Sequence, residues 1–214
     1  MTIIRRYEPR DEETVRQIDF DTGFFGESMS RFIDDRRIFD RALDPYLSAP
    51  DLSAFVAERD GRVIGYTLAT RGDVRLRSVK AAVGGMTRDL LRFFHLSKRD
   101  RRYLLVRLGA LRSAAIGDER RFRTPKGARL HINLLPEARR GGIGSQLLNA
   151  LFADLASHGC SEVHANSYQT LRNQTAYFWL KNGFAEYSRV RSSAWKEFRV
   201  EDEVFLMCWR RELE

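Results

Sequence analysis

One stretch restricts this chain to a small set of folds. An apolar-rich run from His131 to Leu135 leads into a turn with Arg139, Arg140, Gly141, Gly142 and Gly144. Leu147, Leu148, Leu151, Phe152 and Leu155 then follow at helical spacing. The run has the composition of a buried strand and the later part the period of a core-facing helix, so the chain passes from strand to helix through a glycine-rich turn. The first helical N–H groups lack acceptors and the macrodipole is positive there, which suits phosphate oxygens. Gly142 and Gly144 lack a Cβ and allow a pyrophosphate to approach the backbone, and the two arginines add charge. Two common phosphate loops do not fit. The Gly-Lys-Ser/Thr of a Walker loop is absent, and Leu147 stands where G-x-G-x-x-G needs its third glycine.

With 214 residues, the chain is expected to form one domain, or one domain with an insertion. No apolar run approaches the roughly 18 residues of a membrane span. Met1 to Arg10 lacks the apolar segment of a signal peptide, and Cys160 and Cys208 have no metal-ligand spacing, so a cytoplasmic protein with reduced thiols is expected.

The spacing predicts a first strand at Ile3-Ile4, then a helix opened by Pro9 and acids, with Val15, Ile18 and Phe20 inward and a break at Gly23. A second helix is expected from about Met29 to Leu43, with Pro45 and Pro50 ending that section. Phe55–Glu58 and Val63–Ala69 flank Asp60-Gly61, which reads as a hairpin. Further strands are expected at 161–167, 185–190 and 204–209, and a helix from Asn173 to Asn182. Residues 71–128 stand apart, with sixteen Lys or Arg against five Asp or Glu; the whole chain has a net charge of +8. Leu90 to Leu96 suggests one helix there and Leu104 to Ile116 a second, with Lys98–Arg102 between them and Gly84-Gly85 and Gly117 as boundaries. This basic helical insertion could lid an active site, form a dimer surface or bind a polyanion; a solvated helical face is the plain alternative.

The loop Arg139-x-x-Gly142-x-Gly144 resembles the acyl-CoA pyrophosphate loop of the GNAT acetyltransferase superfamily, written Gln/Arg-x-x-Gly-x-Gly/Ala. The block NQTAYFWLKNGF from Asn173 to Phe184 resembles the family's second hallmark, Asn-x-x-Ala…Tyr…Gly-Phe. The resemblance covers most of residues 1–70 and 129–210. It implies an α/β (α+β) fold: a mixed, mostly antiparallel central sheet flanked by helices, here with a helical insertion between the third and fourth strands. It also implies acetyl-CoA between splayed fourth and fifth strands. Leu134 and Leu135 would pair with the pantetheine arm. Arg139, Arg140, Gly141, Gly142, Ile143, Gly144 and Ser145 would hold the pyrophosphate, and Asn173 would touch the cofactor.

The implied reaction is N-acetyl transfer to a primary amine, small or peptidic, by direct attack in a ternary complex. His131 and Asn133 alternate onto one strand face, and a histidine titrates near neutrality, so His131 is the candidate base and Asn133 its catalytic neighbour. A histidine hydrogen-bonded within the sheet is the plain alternative. His164 and Glu58 are secondary candidates. The family's usual Tyr acid, four residues before Gly183, is replaced by Trp179, whose indole is no practical acid; Tyr177 and Tyr168 are substitutes. Counted from Asn173, the spacing to Gly183 is one residue short. Phe24, Phe25 and Tyr46 either contact an acceptor or cover the core. No metal and no membrane are expected, and a homodimer stays open. Two other readings compete: a non-catalytic acyl-CoA binding module, and, less favoured, a nucleic-acid-binding protein using the basic segment, which lacks a reader motif.

Overall fold

The computed structural model describes residues 1–72, 91–116, 118–170, 175–193, 195, 198 and 203–214. Seven strands form one sheet: β1 (Thr2–Arg6), β2 (Leu52–Arg59), β3 (Arg62–Thr70), β4 (Ala128–Leu134), β5 (Glu162–Gln169), β6 (Ala185–Ser192) and β7 (Val204–Glu212). Their spatial order is β1-β2-β3-β4-β5-β7-β6. Every neighbouring pair is antiparallel except β4 and β5, which run parallel. The β2–β3 hairpin turns on Asp60 and Gly61, with φ of 51° and 78°. Positive φ at both central residues is the type I′ geometry that matches strand twist.

The helices are α1 (Glu12–Thr22), α2 (Arg37–Asp40), α3 (Asp44–Leu47), α4 (Lys98–Ile116), α5 (Ile143–Ser157) and α6 (Thr175–Lys181). Leu147, Leu148, Leu151 and Leu155 of α5 are fully buried against one sheet face; each such side chain contributes about 1.5–3 kcal/mol. Helix α5 ends as Gly159 (φ 76°) takes the left-handed conformation and Cys160 N–H returns to Leu155 O. Helix α1 covers the opposite face.

Two expectations fail. Residues 29–43 do not form one helix: a 3-10 turn (Met29–Arg31) is followed by the short α2, and Pro45 sits in the first turn of α3 rather than ending the section. The cause is tertiary. Asp100 Oδ1 accepts from the Asp34 and Asp35 amides at 2.8 and 3.1 Å, replacing helical acceptors. Lys98–Arg102 is not a linker but the opening of α4. Ser97 Oγ accepts from the Asp100 amide (3.1 Å) and donates to its carboxylate (2.9 Å), a helix start missed in the sequence. Tyr103 and Leu104 then pack with Phe20, Met29, Ile33 and Phe39, which joins α4 to the α1 side of the sheet. Gly84, Gly85, Leu90 and Gly117 lie outside the described residues.

On β5, Val163 and Ala165 join the core, so alternation turns His164, Asn166 and Tyr168 to the α1 side. His164 is 5% exposed. Burial, reinforced by Arg129, holds its pKa down to about 4. Folded His164 stays neutral while the unfolded chain takes up a proton below about 6.5. The protein therefore keeps this stability above pH 6.5 and loses it as pH falls toward 4, by about 3 kcal/mol in all. Urea unfolding at pH 7 and pH 4.5 should show a smaller acid loss in His164→Gln than in wild type. Equal losses would remove His164 as the source.

Candidate active site

Strands β4 and β5 pair over three residues only: Ala128 with Val163, Arg129 with His164, and Leu130 with Ala165. Beyond that point they separate, β4 continuing beside β3 and β5 beside β7. The sheet thus carries an opening in its middle, walled by two strand edges. Leu135 N–H donates to Ile64 O at 3.0 Å, and Leu135 O accepts from Ala138 N–H. By antiparallel alternation, His131, Asn133 and Leu135 bond toward β3, and the main-chain groups facing the opening belong to Ile132 and Leu134. The main-chain edge of β4 along the opening therefore belongs to Ile132 and Leu134, while the Leu135 N–H and carbonyl are bonded within the protein.

The opening leads to the glycine turn. Arg139 N–H donates to Pro136 O, and the next internal backbone bond runs from Gln146 N–H to Gly142 O. Between them, the amides of residues 140 to 145 have no acceptor among the described residues. Arg140 (φ 65°) and Gly142 (φ 77°) are left-handed, which curls this run of N–H groups into a concave nest ahead of α5. The glycines serve different ends. Gly142 supplies the positive φ and has open space where a Cβ would be. A Cβ on Gly144 would lie 2.9 Å from the Phe178 ring, so Gly144 is there for packing against α6. Ile143 is buried and Ser145 half-buried in the first turn of α5. The Arg139 side chain does not point into the nest: its Nε donates to Leu134 O (3.1 Å) and its Nη2 to Gly26 O (2.9 Å).

On the α1 side of the opening lies a buried polar cluster. Asp19, 2% exposed, accepts from Tyr66 OH at 3.0 Å and from Asn133 Nδ2 at 2.8 Å. The Tyr66 hydroxyl is also 3.2 Å from His131 Nδ1, and the two rings stack at 5.9 Å with 11° between planes. His131 Nε2 lies 3.7 Å from Asp19 Oδ1, and Tyr46 flanks the imidazole at 5.8 Å. About a third of the His131 side chain (32%) stays exposed. Burial lowers the His131 pKa; the Asp19 charge opposes this and Arg129 adds to it. Burial raises the Asp19 pKa, against the pull of His131, Tyr66 and Asn133.

The structure therefore brings His131 and Asn133 together, and joins to them two residues the sequence reading left out, Asp19 and Tyr66. Asp19 carried a signal: it stands four residues after Val15, in the inward stripe of α1 with Ile18 and Thr22, where a carboxylate is out of place. Tyr177 is not part of this cluster; it is 71% exposed on α6. Trp179, at the family's tyrosine position, is a core residue stacked on Trp209 and edge-on to Phe184. Glu58 is ion-paired to Arg5 on the far strands. Asn173 lies outside the described residues. Tyr46 is buried beside His131, while Phe24 and Phe25 contact Trp195. Among the described residues no group of His, Cys, Asp and Glu could hold a metal ion, and no helix is long and apolar enough to cross a membrane.

A sequence model described as the Acetyltransferase (GNAT) family matches residues 13–184. No curated protein sequence matches the chain. Among solved structures, a protein named SsHAT superposes with a TM-score of 0.68 at 22% identity, over 100% of this chain and 98% of that one. A GNAT superfamily phosphinothricin acetyltransferase from Sinorhizobium meliloti, in complex with AcCoA, superposes at 0.58 with 16% identity, over 99% and 88%. The ribosomal-protein-S18-alanine N-acetyltransferase from Escherichia coli superposes at 0.56 with 12% identity, over 100% and 95%.

Proposed function

The chain belongs to the GNAT acetyltransferase family, acyltransferases that use acetyl-CoA, and from that premise we propose that it acetylates a primary amine by direct attack in a ternary complex. We read it as one domain in which residues 71–128 are an insertion. The observation that carries the proposal is the opening between β4 and β5, which ends in a run of amides with no acceptor among the described residues. That run has the donors, curvature and helix-end potential that a diphosphate requires. Bound there, acetyl-CoA supplies an acyl group activated as a thioester.

The chain's own groups do the rest. The amides of residues 140 to 145 hold the diphosphate, while Ile132 and Leu134 offer main-chain partners along the β4 edge. Arg139 fixes Leu134 O and Gly26 O rather than gripping phosphate. His131 takes the proton from the attacking amine. The single Tyr66 hydroxyl proton goes to Asp19, so His131 Nδ1 carries the hydrogen directed at the Tyr66 oxygen, and Nε2 keeps its lone pair. The lowered pKa keeps His131 neutral and ready to accept. Asp19, 3.7 Å from Nε2, stabilises the imidazolium that results. Asn133 orients Asp19 through its 2.8 Å bond. Tyr177, the exposed hydroxyl next to Phe178 on the helix packed against Gly144, is proposed as donor to the departing thiolate. Tyr168 is less suited, since burial pushes its pKa up to about 12.

The solved neighbours name acceptors as different as phosphinothricin and a ribosomal-protein alanine, so the shared fold does not select the acceptor. Thermal unfolding with and without acetyl-CoA or CoA tests the premise: saturation at 100 times Kd should add about 2.7 kcal/mol. Thiol release across an amine panel then tests transfer. No shift with either ligand sinks the cofactor site. A shift without release under any amine favours a binding module, the reading to which the core position of Trp179 lends weight.

A further inference from the structure

Resting on the acetyltransferase reading, we infer that Arg129 recognises a carboxylate on the acceptor, so that the substrate is a small amine of amino-acid type. Arg129 sits on β4 two residues before His131 and on the same face, about 7 Å away along the strand. It lies at the closed end of the opening, opposite His164 on β5 and Thr70 on β3. Its guanidinium stands 6.0 Å from the centre of the Tyr46 ring, which also flanks His131. The candidate base and this cation therefore share one strand face and flank the same Tyr46 ring.

No acid neutralises Arg129 among the described residues, and its buried Nε has no partner. The acids around it are engaged elsewhere. Asp19 bonds Tyr66 and Asn133 through Oδ1, with its buried Oδ2 unpartnered, Glu162 bonds Arg210 (2.6 Å) and the Gly127 amide (3.0 Å), and Glu119 bonds Ser192. Other polar atoms on this face are orphaned as well: Thr70 Oγ1, His164 Nδ1 and Asn166 Oδ1 are buried without partners. Adjacent buried groups left unsatisfied on three neighbouring strands mark a polar space that a ligand completes. A guanidinium fork matches a planar carboxylate in two parallel bonds. A single guanidinium suits a monoanion better than a phosphate dianion. The strand spacing then fits an amine and a carboxylate a few bonds apart, the amine at His131 and the carboxylate at Arg129.

The test is calorimetric titration of the CoA-treated protein with a panel of α- and ω-amino acids and their carboxamides, which keep the amine and lose the charge. At least one acid should bind wild type 10-fold or more tightly than its amide. In Arg129→Gln that ratio should fall to near 1, and Arg129→Lys should restore part of it. Comparing ratios cancels the difference in amine basicity within each pair. The acetyl-CoA thermal shift, measured on each variant, reports the fold and the cofactor site separately. Acids that bind no better than amides, or a ratio that survives in Arg129→Gln, overturn the inference. Loss of the acetyl-CoA shift in wild type overturns the function reading instead, and the binding ratios still decide the role of Arg129.

Discussion

Gly142→Asp should abolish the thermal stabilisation by acetyl-CoA, while Gly142→Asn should keep most of it. The two side chains have nearly the same shape. Both would stand at φ 77°, and a Cβ there meets nothing within 4 Å. Asn and Asp tolerate the left-handed region better than other residues, so backbone strain is of order 1 kcal/mol or less in both. What separates them is one negative charge at the mouth of the amide nest. Two unit charges about 4 Å apart near a protein surface repel by roughly 4 kcal/mol, a weakening of about a thousandfold. Unfolding without ligand should be alike in the two variants, which makes the ligand-induced shift the readout. Equal shifts in Asp and Asn would show that the diphosphate lies elsewhere.

His131→Ala should lower kcat by about 10²–10⁴-fold, the usual contribution of a positioned base, with the acetyl-CoA thermal shift intact. The imidazole lies on the acceptor side of the opening and touches none of the amides assigned to the diphosphate, so chemistry and cofactor affinity should separate. The pH profile gives a second signature. Burial lowers the His131 pKa below the ordinary 6.5, so the acid limb of kcat/KM should fall below pH 6.5 in wild type. The variant should lack that limb. Asp19→Asn tests the same unit from behind. It preserves the shape and the bond to Tyr66 but removes the charge that opposes the lowering, so the limb moves to still lower pH and kcat falls. Unaltered turnover in His131→Ala would mean that the amine loses its proton to another group.

Local rules made much of the architecture legible. Asp60-Gly61 between β-rich runs, Gly159 after an apolar helix and Gly183 before Phe184 act within a few residues, and each appears where its chemistry places it. The strand–turn–helix unit is legible for the same reason. Residues 29–43 are not, because the amides that would have propagated a helix are taken by Asp100, 65 residues away in sequence. The buried polar cluster divides along the same line. His131 and Asn133 share a strand face and can be paired by period alone, but Asp19 and Tyr66 reach them from α1 and β3. Arg139 shows the converse: its motif position says nothing of the bonds its side chain makes to Leu134 O and Gly26 O, which tie two loops together.

The amide nest bears on how such a protein diversifies. Peptide N–H groups are the same whatever side chain they carry, so a donor site made of them survives drift at most of the positions that build it. The two left-handed positions, Arg140 and Gly142, and the tight contact at Gly144 are the ones that restrict replacement. Selection can then reshape the wall facing the amine while the hold on the acyl donor persists. Chains of 12 and 16% identity that keep one architecture yet carry names of unlike acceptors are what that division of labour would leave behind.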